Sequence, residues 1–133
     1  MSNIKPKHES LRKLSLAVYK KLPGKSLHPK TLEFLVLNHP KNLVGILDSE
    51  YTGFTDKCIV LDILSKSKGQ KFVLEALYRY SYHEMPSIRE SAIYSLAFFP
   101  TNKVVKRLEE LEITESNQVI RDCVRSYLHE IFV

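Results

Sequence analysis

Three His-Glu dipeptides stand out as potential metal ligands: His8-Glu9, His83-Glu84 and His129-Glu130. An imidazole nitrogen beside a carboxylate oxygen is a donor pair suited to a first-row transition metal. Their placement works against a shared site. One pair lies near the N-terminus, one at a predicted helix end and one on the last turn of the final helix, so they cannot converge as a symmetric cluster. Solvated polar side chains are the better account. The sequence also lacks a nucleophile elbow, a phosphate-cradling glycine loop and a zinc-spaced cysteine set. The expectation is a protein that is not an enzyme, with no catalytic residue, metal or cofactor.

A second constellation is periodic. Lys57, Arg89 and Arg121 follow one another at intervals of 32 residues. Val60, Ala92 and Val124 keep the same interval, as do Leu64, Leu96 and Leu128, and Phe72 matches Val104. A fixed period in this range means stacked structural units. Stacked helical pairs present long ridged faces, which suit binding better than catalysis.

The elements that must position these residues read as helices. A leading helix is predicted over about 9–22, with Leu11, Leu14, Ala17, Val18 and Leu22 on one stripe and Pro23-Gly24 as its stop. Helical pairs follow over about 28–50, 55–82 and 86–111, and a final helix over about 117–132. Leu32, Leu35 and Val36 face inward in the first pair, and Leu43, Val44, Ile46 and Leu47 are the apolar positions of its second helix. Thr55 or Asp56 is the expected cap of the second pair, and Ser87, with Glu90 three residues on, that of the third. Thr101 is placed to cap the helix that buries Val104, Val105, Leu108 and Leu111. Val119, Ile120, Cys123, Val124, Tyr127, Leu128 and Ile131 are the expected apolar stripe of the final helix. Cys58 and Cys123 fall on the first helices of units two repeats apart. At roughly 10 Å per stacked helix they are too far apart for a disulfide, so two reduced, buried thiols are expected.

The segment from Pro86 to Leu111 carries a resemblance. It opens Pro-Ser-Ile-Arg, places Ala92 and Leu96 along one face, turns, and continues Val-Val-x-x-Leu-x-x-Leu. This resembles the short HEAT-like repeat, in which a Val-Arg start opens one helix and a second packs back on it. Gln118-Val119-Ile120-Arg121 opens the last unit in the same way. The resemblance covers 86–128 most fully, 55–80 less and the chain before 50 least. It departs from the family where a Gly usually follows the first helix, since Phe98-Phe99-Pro100 fills that turn and only Gly69 plays the part. The resemblance implies an all-α fold over 1–133, a short right-handed α-solenoid of about seven or eight helices. It also implies that Lys57, Arg89 and Arg121 bridge neighbouring repeats by hydrogen bonding to helix ends. Deoxyhypusine hydroxylases, a related branch, hold two irons through His-Glu pairs just after the Val-Arg start. Here those slots hold Glu90-Ser91 and Asp122-Cys123, so the likeness does not extend to metal.

Charge is unevenly spread. The net charge is +5, yet residues 1–30 hold eight bases and one acid, and the rest twelve bases and fourteen acids. A basic leading edge on a nearly neutral body attracts acidic proteins, phosphate backbones or anionic surfaces. A solvated face that keeps the protein soluble explains it equally well. Second helices line the concave side in a HEAT-like stack, so the candidate partner-binding residues are Lys71, Glu75, Tyr78, Arg79, Tyr82, Lys103, Lys106, Arg107 and Glu110. Tyr78 and Tyr82 share a helix face and Tyr80 points elsewhere. Tyr beside Arg is the composition of an interface hot spot and also of a base-stacking platform.

The expected function is a non-enzymatic protein-binding module in the cytoplasm. The likeness extends to small helical immunity proteins that bind and neutralise a cognate bacterial toxin, here one with an acidic patch. The alternative is nucleic-acid binding in the manner of HEAT-like DNA glycosylases. A third reading, a scaffold subunit, predicts an exposed apolar patch at Ile131-Phe132-Val133. No run approaches 18 apolar residues, which argues against a membrane span, and Met1 to Ser10 lacks a signal core.

Overall fold

The computed structural model describes residues 29–133. The leading helix expected at 9–22, with most of the basic edge, lies outside the described residues. Seven α-helices follow: α1 (Pro29–Asn38), α2 (Pro40–Asp48), α3 (Phe54–Ile63), α4 (Lys71–Tyr80), α5 (Pro86–Leu96), α6 (Asn102–Thr114) and α7 (Gln118–Phe132). A 3-10 turn, Leu64–Lys66, extends α3, and no strand occurs among the described residues.

Local chemistry sets most boundaries. Proline opens α1, α2 and α5, where its missing N–H costs nothing and its φ is already helical. Thr101 Oγ1 accepts from the Val104 amide at 3.2 Å, as its position predicts. Asn117 caps α7 in the same way, accepting from Ile120 N at 3.1 Å. Two expected caps do not form. Pro86 holds Met85 extended, so α5 begins two residues too early for Ser87 to cap it, and the Ser87–Glu90 box is absent. Gly53, not Thr55 or Asp56, precedes the first residue of α3.

Each helix buries one stripe. The periodic positions are core positions: Val60, Ala92 and Val124 are fully buried, and Leu64, Leu96 and Leu128 nearly so. Helix α1 packs on α2 and α3, α3 on α5, and α5 on α7; α2 packs on α4, α4 on α5, and α6 on α7. Leu43, Leu61, Leu77, Ile93 and Leu108 close the interior between them. Val119 leaves the expected stripe and is 63% exposed, because Ile120, one position round the helix, takes the inward place. Both thiols are free but only half-buried.

The turn after Lys66 explains the single glycine that matches the repeat pattern. Gly69 has φ 68°, and a Cβ there would stand 2.7 Å from Cδ1 of Phe99. Only glycine meets both demands. Phe99 is the side chain that fills the space.

Candidate functional site

Three alternating tyrosines mark the end of α4, Tyr78 and Tyr80 in its last turn and Tyr82 in the turn that follows. Tyr80 turns inward and donates from its hydroxyl to Asp48 Oδ1 at 2.8 Å and to the Leu47 carbonyl at 3.2 Å. Burial is the main cause of its raised phenol pKa, helped by the Asp48 carboxylate. Tyr78 and Tyr82 lie on the outer face, as the helical spacing predicts, with ring centroids 5.6 Å apart. Lys103 Nζ sits 4.4 Å from the Tyr78 ring centre, and the Arg107 guanidinium lies 3.6 Å from that of Tyr82. Such cation–ring contacts orient an exposed aromatic side chain and lower its freedom.

The ridge made by these rings separates two recesses, one between α4 and α6 and one between the turn after α4 and α6. The first, of 310 Å³, brings together Lys71, Glu75, Tyr78 and Lys103 beside Leu74 and Val104. Lys71 and Glu75 form a surface pair at 3.9 Å. The second, of 460 Å³, holds Tyr82, Arg107 and Glu110. Seven of the nine residues singled out from the sequence therefore share one continuous strip. Lys106 is exposed on α6 and lines neither recess. Arg79 faces away, bound two-pronged to Asp48 at 3.1 and 3.2 Å.

Arg107 has a role different from the exposed contact expected of it. It is 5% exposed. It donates to the Ser81 hydroxyl at 3.0 Å and to the Ser81 carbonyl at 2.9 Å, with Glu110 as its ion-pair partner. It thus satisfies the C-terminal end of α4 from α6 and braces Tyr82 from below. Its place on the buried stripe, between Val104 and Leu108, was the sequence signal for this.

The periodic cations divide. Lys57 donates to the carbonyls of Leu47 and Ser49 at the end of α2, and desolvation lowers its pKa. Arg89 donates to the carbonyls of His83 and Glu84, beyond the end of α4, at 3.1 and 3.0 Å. It also grips Glu115 with two bonds of 2.8 Å. Glu115 is buried, and the Arg89 hydrogen bond holds its carboxyl below the usual range, with the Asn117 amide adding to it. Arg121 reaches only Gln118, within its own helix. Nothing in the periodicity singled out Glu115.

A larger hollow lies elsewhere. It measures 770 Å³ and is lined by residues of α1, α3, α5 and α7, not by the second helices expected to form the concave side. Among the described residues no group of three or more His, Cys, Asp and Glu could hold a metal ion. His83 instead accepts from the Met85 amide through Nδ1 at 3.0 Å. No helix among the described residues is long and apolar enough to cross a membrane. Comparison with family models, with curated proteins and with solved structures finds no match for the chain.

Proposed function

We propose that this chain is a non-enzymatic binding protein that docks another protein on the α4–α6 strip, within a HEAT-like right-handed stack of helical pairs. The observation that carries this is the Tyr78–Tyr82 ridge, pinned by Lys103 and Arg107 between two recesses. Aromatic anchors held in place before binding lose little entropy on docking, and they dominate interface energies. The cations around the ridge favour a partner whose complementary surface carries carboxylates.

The narrower reading is an immunity protein that neutralises a cognate bacterial toxin in the cytoplasm. Its support is the resemblance of residues 86–128 to short HEAT-like repeats, together with the small size of the chain. The nucleic-acid alternative draws on Lys71, Lys103 and Lys106, because Arg79 and Arg107 are already engaged by Asp48 and Ser81. Three exposed lysines interrupted by Glu75 and Glu110 make a weak track for a phosphate backbone.

Affinity capture from the native lysate, with and without nuclease, separates these readings. The protein-binding reading predicts one stoichiometric protein that survives nuclease and high salt. Recovery of nucleic acid alone, lost with either treatment, would move the case to a nucleic-acid binder.

A further inference from the structure

The 770 Å³ hollow is built on the repeat itself. Ile59, Ser91 and Cys123 line it from α3, α5 and α7, and they stand at the same 32-residue interval as the core positions. Asp62 and Tyr94, one turn further along, obey the interval too. The hollow is therefore a groove that crosses three successive helices at one level. At roughly 10 Å per packed helix this makes a track about 20 Å long, a shape that suits a chain segment better than a compact metabolite.

Its chemistry is specific. Leu32, Ile59 and Ile63 supply an apolar bed. Asp62 and Glu90 supply carboxylates, and Glu90 adds to the raising of the Asp62 pKa that burial begins. Two like charges share a partly desolvated wall, with the rings of Tyr94 and Tyr127 beside them. The phenol of Tyr127 is pushed up to about 12, chiefly by burial. The one cation on the lining, Lys66, is drawn to Glu33 at 3.3 Å. The groove thus carries unneutralised negative charge on a protein whose net charge is +5. An occupant that fits must bring both apolar surface and positive charge, and aromatic rings beside carboxylates favour an ammonium or guanidinium group.

We infer that the α1–α3–α5–α7 groove is a second docking surface, whose occupant is a basic amphipathic segment of a partner protein. Lysine or arginine side chains of that segment meet Asp62 and Glu90, and its apolar face lies on Leu32, Ile59 and Ile63. This surface shares no lining residue with the α4–α6 strip, so it stands or falls independently of the function proposed above.

The test uses the full chain and a synthetic lysine–leucine peptide of helical spacing, with a glutamate–leucine peptide as control. The lysine peptide should bind one to one, and the glutamate peptide should not. Asp62→Asn with Glu90→Gln should weaken binding at least roughly tenfold, while Lys103→Ala should leave it unchanged. Bound peptide should also shield the Cys123 thiol from a maleimide reagent and leave Cys58, which does not line the groove, reactive. Equal affinity of the double variant, or equal binding of both peptides, would overturn the inference. So would a Cys123 that is already shielded in the free chain, since the groove would then be filled by the protein itself.

Discussion

Replacing Arg89 by alanine should be among the most damaging single changes outside the apolar core. The side chain joins three partners: the carbonyls of His83 and Glu84 and both oxygens of Glu115. The Glu115 side chain is only 2% exposed and that of Arg89 14%. Removing one member of a buried ion pair costs about 3–5 kcal/mol, because the other charge is left desolvated. The Asn117 amide still reaches Glu115 at 2.8 Å and softens the loss, so the expected cost is about 3 kcal/mol. For a domain of this size that is a fall in Tm on the order of 10 °C. Urea unfolding of wild type, Arg89→Ala, Glu115→Ala and the double variant measures it as a cycle. The coupling should exceed ~1 kcal/mol, and Arg89→Lys should not restore it, since an ammonium lacks the planar fork. Arg121→Ala, at the same repeat position but bonded only within its helix, should cost under ~0.5 kcal/mol. The reasoning fails if Arg89→Ala costs less than ~1 kcal/mol, or if the Arg121 variant is equally damaging.

Other expectations follow from the same geometry. Glu115 is held below its ordinary value of 4.5 in the folded protein, chiefly by the hydrogen bond from Arg89. Its contribution is therefore complete above that value and is lost as the pH falls through the folded pKa; Glu115→Gln should flatten acid unfolding in that window. Gly69→Ala should cost about 1–3 kcal/mol in chemical unfolding, from the left-handed backbone and the clash with Phe99. Tyr80→Phe should cost about 1–2 kcal/mol, since it removes the bonds to Leu47 and Asp48. Leu108→Ala, at a fully buried site, should cost about 2–5 kcal/mol, with a correspondingly lower urea midpoint.

The apolar periodicity was the most legible part of the molecule. Positions 60, 92 and 124 and positions 64, 96 and 128 are buried because a helical stripe has few ways to meet its neighbours. The all-helical class and the sharing of one face by Tyr78 and Tyr82 followed from the same spacing. Polar partners across the sequence were not legible. Arg89 finds Glu115, 26 positions away, and Arg79 finds Asp48, 31 positions away. Such pairs depend on how helices are juxtaposed, which a one-dimensional pattern does not carry. Helix starts failed where two local preferences competed: Pro86 overrode the cap expected at Ser87, and Gly53 overrode Thr55. The main hollow was missed because its walls, such as Ile59, Ser91 and Cys123, differ in chemistry at each repeat. Of the terminal apolar residues, Phe132 and Val133 are exposed, at 68% and 91%, while Ile131 is partly buried against the core.

The most direct test of the binding account is the affinity of the captured partner for wild type and for Tyr82→Ala and Lys103→Ala, measured across a salt series. If the α4–α6 ridge is the anchor, each change should weaken binding by roughly tenfold or more, and wild-type affinity should move little with salt. Undiminished affinity in both variants, or a steep fall of wild-type affinity with salt, would contradict it.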